Sequence, residues 1–350
     1  MKAHKNLWAE IAGFQNLLAA ANNARHGKRF QPNVARFNVE LECNLFAIRA
    51  ELETGTYRPG AYKSFHIRDP KPRMISAAPY RDRVVHHALC RVIAPILEKA
   101  MITDSYANRK GKGTHPAVER YRQYCRRYPY VLKCDIKKFF PSIDHEILKK
   151  ELRRKIGCAR TMRLCEIIID NSNPQEPHIA WFPGDDLFSP LARRRGLPIG
   201  NLTSQLWGNF YLNGLDHFVK EQLRCKAYVR YVDDFVVFGH SKAGLRRIKQ
   251  QIEHFLEAYR LLLHPRKSRI YKTGEGVTFL GYRIFPGFTL LPSANVHRFR
   301  RRVRRKLKEL HSGKINAQAF TASLRGWEGH ALRADTWRLR LRLRKEIYGY

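Results

Sequence analysis

The 350-residue sequence lacks the patterns by which small metal-binding and secreted proteins are recognised. Its seven cysteines include no CxxC pair, and its 15 histidines include no HExxH pattern, so neither a zinc knuckle nor a paired-histidine metal site is indicated. The cysteine spacing does not suggest a disulfide framework either. We therefore expect ordinary reduced cysteines and scattered histidines without a shared metal.

Long apolar runs are also missing. No apolar stretch approaches the roughly 20 residues of a membrane-spanning helix, and the first 30 residues lack the continuous apolar stretch of a signal peptide. We therefore expect a cytoplasmic protein without a membrane partner. Hydrophobic residues still make up 44% of the chain, which is enough to bury a sizeable core in two or three packed units.

Acidic residues are scarce relative to basic ones. The chain has 66 lysines and arginines against 30 aspartates and glutamates, which gives a formal net charge of +36. Such an excess goes beyond what solubility needs and attracts polyanions. Nucleic acid is the first candidate partner, and an anionic membrane surface is the alternative.

Periodicity and turn residues predict a mixture of helices and strands that do not simply alternate, which is typical of the α+β class. Residues 1–57 predict two leading helices, and a proline-rich turn with two short strands follows up to residue 76. The remaining predicted elements are a helix at Tyr80–Ala100, a strand at Val131–Ile136, a long helix from Asp144, a loop at 171–198, a helical pattern at Leu202–Gln222, a helix at Ala243–Arg260, and strands near Ser268–Tyr271 and Val277–Phe285.

The C-terminal segment differs in composition from the rest. From Ala294 to Tyr350 it holds 16 basic and 4 acidic residues, a net charge of +12 in 57 residues. Its apolar residues, among them Phe320, Leu324 and Trp327, indicate a small helical domain with its own core rather than a solvated tail. The stretch WRLRLRLRK alternates as a strand does, and its secondary structure stays open.

Two adjacent carboxylates lie in the stretch YVDDFVVFG. The β-runs Ala227–Tyr231 and Phe235–Gly239 flank Asp233 and Asp234, which predicts a hairpin whose tight turn carries both, since Asp tolerates the special backbone angles of such turns. Asp135 ends another predicted strand. If the strands are neighbours in one sheet, three carboxylates converge at one rim, as two divalent ions for phosphoryl displacement require. An Asp-Asp pair taken alone indicates no more than a turn.

Seven blocks follow one another in the order found in one enzyme family. They are IRDPKPRMISAAPYRDRVVHHAL, DSYANRKGKGTHPAV, LKCDIKKFFPSIDH, GLPIGNLTSQLWGNFYLNGLDHFV, YVDDFVVFG, LHPRKS and FLGYRIF. Over roughly residues 60 to 330 the chain thus resembles bacterial reverse transcriptases. The resemblance implies a right-hand polymerase fold: an N-terminal helical extension (1–57), fingers (58–130), a palm with an antiparallel sheet (131–290, including helical segments 145–225) and a basic helical thumb (291–350).

The block LPIGNLTSQ narrows the resemblance. Most relatives begin this block with Gln-Gly and end it with Ser-Pro, whereas this chain has Ile199-Gly200 and Ser204-Gln205. That variant is most similar to the reverse transcriptases of diversity-generating retroelements, and the wording FFPSID agrees with it. A retron-like or phage-defence-associated reverse transcriptase that copies its own noncoding RNA is the second hypothesis. A catalytically inactive RNA-binding scaffold is the third, against which the intact carboxylates argue.

The resemblance implies a catalytic set. Asp135, Asp233 and Asp234 match the ligands of two Mg²⁺ ions, for which Mn²⁺ is a substitute, and the backbone carbonyl of Ile136 completes one coordination sphere. Lys267, in LHPRKS, matches the lysine that donates a proton to the leaving pyrophosphate; a plain basic turn is the alternative for this residue.

The resemblance also implies contacts to the incoming nucleotide. Phe140 matches the steric gate that excludes a 2′-hydroxyl, with a core aromatic residue as the alternative. Arg73, together with Lys71 and Arg68, matches the cations that hold the triphosphate, although a generic basic loop is an equal interpretation of Lys71 and Arg68.

Three further residues are expected at the nucleotide. Ile199 stands where relatives place a glutamine, and an aliphatic side chain cannot form a hydrogen bond there, so the resemblance implies error-prone synthesis opposite template adenines. Gly200 lets the backbone approach the nascent base pair, and Val232 lies in the hairpin turn beside it.

Template and primer contacts are expected at two places. Arg109, in YANRKGKG, is expected to touch a phosphate of the template or the nucleotide. The block Phe279, Leu280, Gly281 and Tyr282 matches the primer grip, with an ordinary strand and turn as the alternative.

The implied partners are template RNA, the cDNA or primer, and dNTPs. Enzymes of diversity-generating retroelements also work with a small basic helical protein that forms an oligomeric ring, the accessory variability determinant. The leading helices do not have enough apolar residues for a self-sufficient core, which is consistent with a partner, although no contact surface is apparent in the sequence.

Overall fold

The computed structural model describes residues 3–68, 72–173 and 179–348. Within those ranges no helix combines the length and the apolar character needed to cross a membrane. The described elements confirm the predicted α+β class, because helices pack around three separate antiparallel sheets.

The N-terminal segment forms four helices, so the prediction of two was wrong. They are α1 (Trp8–Ala12), α2 (Phe14–Arg25), α3 (Pro32–Val39) and α4 (Leu41–Thr54). Gly13 separates α1 from α2 in an extended conformation, and Pro32 has the fixed φ that suits the first position of α3. Their buried side chains join the main hydrophobic core of the chain and form no core of their own.

A two-stranded hairpin precedes a long central helix. Strands β1 (Lys63–Ile67) and β2 (Arg73–Ala77) are antiparallel, with Ile67 opposite Arg73, and all of β1 is exposed, so the hairpin projects from the body. Helix α5 (Tyr80–Ala100) has the predicted bounds. It is buried on most of its surface and packs against α2, which makes it the centre of the main core.

The middle of the chain supplies one strand and the helices that cover it. Helix α6 (Thr114–Cys125) leads into β3 (Tyr130–Asp135). Asp144 caps the helix after it with its carboxylate, which accepts the backbone N–H groups of Glu146 and Ile147; this helix, at nine residues, is shorter than expected. The helices of this part are α7 (Phe139–Ser142), α8 (His145–Arg153), α9 (Ala159–Asp170), α10 (Ser189–Ala192), α11 (Leu202–Tyr211) and α12 (Asn213–His217), followed by a π-helical turn at Phe218–Gln222.

A four-stranded antiparallel sheet forms the frame of the molecule. The predicted hairpin is confirmed as β4 (Tyr228–Tyr231) and β5 (Asp234–Gly239); α13 (Lys242–Ala258) and β6 (Arg269–Lys272) follow. The spatial order is β4-β5-β3-β6, so β3 lies between strands that come about a hundred residues later. Long-range pairing of this kind joins the two halves of the chain.

The sheet is buried on both faces. Leu132 and Cys134 on β3 join the core built on α5, α11 and α13, whereas Val131 faces a second core. On β5, Phe235 faces the first core and Val236 the second. Because successive side chains of a strand point to opposite faces, both cores depend on the same two strands.

The C-terminal part contains a small sheet and three helices. The single strand predicted near Val277–Phe285 is instead a hairpin, because Leu280 and Gly281 have positive φ values of 48° and 86° and reverse the chain. The stretch WRLRLRLRK is helical, and its buried Leu343 packs with Phe299 and Phe320 in a third core. The elements are β7 (Val277–Phe279), β8 (Tyr282–Ile284), β9 (Thr289–Leu290), α14 (Ser293–His311), α15 (Ala317–Ala331) and α16 (Trp337–Tyr348), with a 3₁₀ turn at Thr273–Glu275.

Candidate functional site

The sheet brings the three predicted carboxylates together. Asp135 ends β3 directly opposite Asp234, the first residue of β5, and Tyr231 is the partner of Asp234 on β4. The loop of the β4–β5 hairpin therefore consists of only Val232 and Asp233. Two carboxylates in register and a third in the adjoining turn now lie at one edge of the sheet.

The turn differs in one respect from the sequence prediction. Asp233 was expected to adopt the special backbone angles, but the positive φ of 55° belongs to Val232. A β-branched residue in the left-handed region is strained, since its side chain crowds the backbone. Strain at this position indicates that the surroundings fix the turn in place.

Asp233 carries the clearest electrostatic signature of the site. Burial, together with the charges of Asp234 and Asp135, raises the pKa of the Asp233 carboxyl to about 6, and the positive charge of Arg73 partly opposes the rise. The mutual repulsion shows that the three carboxylates interact, and the influence of Arg73 brings β2 to the same site. A cation bound here would relieve the repulsion.

Lys267 reaches Asp135 from the loop between α13 and β6. Its Nζ lies 2.6 Å from Asp135 Oδ2. The loop is held against β3 because the His264 N–H donates to the Asp135 carbonyl at 2.7 Å, and an antiparallel bridge pairs Ile136 with Leu263. The two hydrogen bonds of that bridge use the carbonyls of Asp135 and Leu262, so neither involves the carbonyl of Ile136.

The donor set suits a hard divalent cation. In the described part of the chain, no three His, Cys, Asp or Glu side chains are already grouped as they would be around a metal, and Asp135 is paired with the Lys267 ammonium. Carboxylate oxygens are nevertheless the ligands that Mg²⁺ prefers, and burial together with the charges of Asp234 and Asp135 raises the pKa of Asp233, a rise that a bound cation would oppose. The residues present therefore fit such an ion.

Phe140, in α7, packs against α11, the helix that begins within the LPIGNLTSQ block. A Cβ added to Gly208 of α11 would come within 3.0 Å of the Phe140 ring, so the ring rests on a helix surface that only glycine leaves open. Phe140 is half-buried, whereas its neighbour Phe139 belongs to the core. Its exposed part is consistent with either a gate or the edge of the core.

Ile199 and Gly200 lie against β2. The Ser76 N–H donates to the Ile199 carbonyl at 3.0 Å, and Gly200, with φ of 117°, approaches so closely that a Cβ there would lie 3.0 Å from Ile75 Cγ2. The side chain of Asn201 also binds β2, because its amide donates to the Ser76 carbonyl at 2.9 Å. Asn201 is a residue that sequence reasoning missed, although it stands in the block LPIGNLTSQ.

Two of the three cations predicted to hold the triphosphate lie on or near the β1–β2 hairpin. Arg73 is exposed on β2 and acts on Asp233, as described above. Arg68 is exposed just beyond β1. Lys71 lies outside the described residues.

Arg109 has a different environment from the expected one. Its guanidinium donates to the carbonyls of Ile102, Ser105 and Glu98 at 2.7, 2.9 and 3.2 Å. These contacts hold the C-terminal end of α5 and the loop behind it. The structure therefore gives Arg109 a role in the fold, and the predicted phosphate contact stays a prediction.

The predicted primer-grip block forms the β7–β8 hairpin. Phe279 is buried and stacks on Tyr121, and the Tyr282 hydroxyl lies 2.9 Å from His330 Nδ1 of α15. Only the turn, Leu280 and Gly281, is partly exposed. The block thus combines buried strand residues with a turn that is accessible at the tip of the hairpin.

A basic cavity of about 470 Å³ lies beside that tip. Asn295 of α14 donates to the Gly281 carbonyl at 3.2 Å, which joins the cavity to the hairpin. Its lining includes Arg298, Arg301, Arg302, Arg305, Trp327 and His330. Cations beside an aromatic surface suit the phosphates and bases of a nucleic acid.

Comparison with known proteins agrees with these features. The family model described as reverse transcriptase (RNA-dependent DNA polymerase) matches residues 66–284. Protein YkfC of Escherichia coli (strain K12) is 28% identical, over 71% of this chain and 72% of its own length. The group II intron-encoded protein LtrA of Lactococcus lactis subsp. cremoris is 21% identical over 78% of this chain, which spans about half (52%) of LtrA. A telomerase structure from Candida albicans is 14% identical, covering 67% of this chain and 46% of that one, with a TM-score of 0.47.

Proposed function

This chain belongs to the reverse transcriptase family, and on that premise we propose that it copies RNA into cDNA at the edge of the β4-β5-β3-β6 sheet, with low fidelity opposite template adenines. As a member of that family it is an RNA-directed DNA polymerase with a right-hand polymerase fold. The observation that supports the site most strongly is the register of Asp135 with Asp234, with Asp233 in the adjoining turn.

Reverse transcriptases generally use divalent metal ions. We assign Asp135, Asp233 and Asp234 as ligands of two Mg²⁺ ions, or of Mn²⁺ in their place, with the Ile136 carbonyl as a further oxygen donor. Bound there, the ions would lower the pKa of the primer 3′-hydroxyl and neutralise charge on the triphosphate. Lys267, whose ammonium is paired with Asp135 in the structure, would donate a proton to the leaving pyrophosphate.

The nucleotide would lie between the carboxylates and β2. Arg73, supported by Lys71 and Arg68, would bind the triphosphate, because guanidinium groups match phosphate oxygens in geometry and charge. Phe140 would exclude the 2′-hydroxyl from below the sugar. Val232 would contact the nucleotide or primer end from the turn.

The division of the chain follows from these roles. The helical extension is 1–57, the fingers 58–130, the palm 131–290 and the thumb 291–350. The β1–β2 hairpin, with its exposed strand β1, then serves as the part of the fingers over the nucleotide, and the basic cavity of α14 as a surface for the primer-template duplex.

The error-prone activity of a diversity-generating retroelement enzyme is assigned to Ile199. This residue is half-buried, and its backbone is fixed to β2 by the bond from Ser76. An aliphatic side chain there offers the nucleotide no hydrogen bond, so misaligned pairs lose less stabilisation than they would beside a glutamine. This role implies the template RNA and the accessory variability determinant as partners. It also implies that the enzyme acts in the cytoplasm.

The catalytic assignment is tested by the double variant Asp233→Asn, Asp234→Asn. We expect Mg²⁺-dependent dNTP incorporation to fall by at least about 10³-fold, because the variant loses two metal ligands. RNA affinity should stay close to wild type, since basic surfaces supply it. Primer extension and RNA binding are measured on the same preparations, and substantial incorporation by the variant would refute the assignment.

The fidelity assignment is tested by Ile199→Gln. One added hydrogen bond of about 0.5–1.5 kcal/mol, if stronger in the correctly paired transition state, gives a several-fold gain in discrimination opposite adenine. Sequencing of cDNA from a defined RNA template measures it, with Ile75→Val, at the residue that packs on Gly200, as a control for altered packing. Equal adenine error rates with a lower yield would mean that Ile199 only packs against its neighbours.

A further inference from the structure

A fully buried ion pair lies directly behind the turn that carries Asp233. Arg230 on β4 and Asp216 on α12 both have 0% of their surface exposed. The Nε and Nη2 atoms of Arg230 donate to the two carboxylate oxygens of Asp216 at 2.7 and 2.6 Å, and the Tyr228 hydroxyl donates to Oδ1 at 2.8 Å. Burying two charges is so costly that such a pair is weak evidence for a stabilising role alone.

The other donors of Arg230 reach the turn and the neighbouring helix. Nη1 donates to the carbonyl of Val232 at 3.1 Å and to Asn209 Oδ1 at 2.9 Å, while Nη2 donates to the Asn209 carbonyl at 3.0 Å. All five N–H groups of the guanidinium thereby have an acceptor. A lysine, with one nitrogen and three donors, cannot reproduce this set.

The contact with Val232 falls on the strained residue. Its φ of 55° is unfavourable for a β-branched side chain and persists only where the surroundings impose it. The guanidinium supplies such a restraint, because it holds the Val232 carbonyl from inside the protein and is itself fixed by α11 and α12 through Asn209 and Asp216.

We propose that Arg230 is a positioning residue for the catalytic turn: by holding the Val232 carbonyl, it fixes Asp233 and Asp234 relative to Asp135. Arg230 acts through these carboxylates and does not touch the substrate. The inference rests on the proposed role of the carboxylates as metal ligands. It adds a link to the proposed metal site from α11 and α12, which come after Ile199 in the chain.

The test is a variant that removes the contact without leaving a lone buried charge. Arg230→Met combined with Asp216→Asn neutralises both partners and keeps an acceptor for the Tyr228 hydroxyl. We expect kcat to fall about 10- to 100-fold, as for residues that orient metal ligands, and the half-activating Mg²⁺ concentration to rise by a similar factor. The KM for dNTP and the affinity for RNA should remain near wild type. A kcat and Mg²⁺ requirement that both match wild type would overturn the proposal.

A second buried pair provides the control. Arg193 and Asp185 have side chains that are each 6% exposed and form an ion pair with no contact to the turn. Arg193→Met combined with Asp185→Asn should lower the melting temperature without changing the Mg²⁺ requirement. If this control shifts the Mg²⁺ requirement equally, the effect is one of general destabilisation and the proposal fails.

A milder variant keeps the test decisive if the double variant does not fold. Arg230→Lys retains the charge opposite Asp216, but its three donors on one nitrogen replace a planar fork that serves five acceptors on Asp216, Asn209 and Val232 at once, so the hold on the turn should weaken and the Mg²⁺ requirement should still rise. A folded Arg230→Lys enzyme with the wild-type requirement overturns the inference. If Asp233→Asn, Asp234→Asn is inactive while the Arg230 variants behave as wild type, only this inference fails; if that carboxylate variant is active, the proposed site itself fails.

Discussion

Val232 and Asp233 form the two-residue loop to which we assign part of the catalytic site. The register of β4 with β5 leaves no other residue in the turn, so the strain falls on Val232 and the charge on Asp233. Because Asp233 is partly buried beside two other carboxylates, its pKa rises to about 6. The turn is thus unfavourable both sterically and electrostatically without partners, which fits a site whose partners are cations.

Phe140 has two possible roles, as the steric gate below the sugar or as an aromatic residue at the edge of the core. The ring lies on Gly208 of α11, and the adjacent Phe139 is buried in the core. Phe140→Ala should weaken the preference for dNTP over rNTP by roughly tenfold or more, because the ring would no longer occupy the space of a 2′-hydroxyl. Single-nucleotide extension with each substrate measures this ratio.

Phe139→Leu is the matched control for Phe140→Ala. It removes part of a neighbouring aromatic side chain from the core, so it should lower stability without altering the choice of sugar. An unchanged dNTP/rNTP ratio in Phe140→Ala would assign this residue to the core as well.

Helix α5 illustrates how a single element can set the acid stability of the fold. His86, at its centre, is 2% exposed, and neither ring nitrogen has a hydrogen-bond partner. Burial, with the neighbouring charges of His87 and Arg83, lowers the pKa of His86 to about 3. In the unfolded chain the imidazole titrates near 6.5, so below that pH the unfolded state binds more protons and stability falls.

The expected loss from His86 is about 2 kcal/mol in the free energy of unfolding at pH 5 relative to pH 7 or above. His86→Leu should remove that part of the pH dependence, as measured by urea unfolding at both pH values. His254→Gln, at an exposed position of α13, is the control for replacing a histidine outside the core. Equal pH dependence in wild type and His86→Leu would contradict the assignment.

The β1–β2 hairpin depends on an element far away in sequence. Residues 199–201 run beside β2, where Ser76 bonds to the Ile199 carbonyl and the Asn201 side chain bonds to the Ser76 carbonyl. The hairpin that carries Arg73 is therefore hydrogen-bonded to the segment that carries Ile199, the residue assigned to fidelity.

The charge of the whole chain should govern its affinity for RNA. Basic residues far outnumber acidic ones and give a net charge of +36, so RNA binding should release counterions condensed on the RNA. The logarithm of the binding constant should then fall linearly with the logarithm of the salt concentration, with a slope of about −0.7 per phosphate contact with single strands. Replacing the exposed Arg301, Arg304 and Lys308 of α14 with Gln should reduce the slope by about 2. Filter binding or fluorescence anisotropy across a salt series measures it.

A control with the same change in charge separates this surface from net charge alone. Arg49, Arg153 and Arg154 are paired with Glu53, Glu166 and Glu151. Their replacement with Gln should leave the slope close to wild type, because these cations already have partners. A flat salt profile for the wild-type protein, or equal slopes for both triple variants, would show that α14 does not contact RNA phosphates.

The order of motifs, the α+β class and the hairpin with its two aspartates could be predicted from the sequence, because each depends on neighbouring residues. Periodicity placed α5 at its observed bounds, and turn residues placed β4 and β5. Local signals failed where one residue decides: Gly13 divides the first predicted helix, and Leu280 with Gly281 folds one predicted strand into two. The alternation of WRLRLRLRK suggested a strand, but a helix lets Leu343 fill the third core.

Only tertiary structure decided which residues meet. The pairing of β3 with β5 sets Asp135 opposite Asp234 across about a hundred residues, and no local pattern encodes that register. Arg230 and Arg109 are both arginines in a basic chain, yet one is buried behind the turn between β4 and β5 and the other bonds to backbone carbonyls at the end of α5. Sequence determines the charges and local conformations a chain brings, whereas packing alone determines which buried charge must find which partner, because that choice minimises the cost of desolvation over the whole fold.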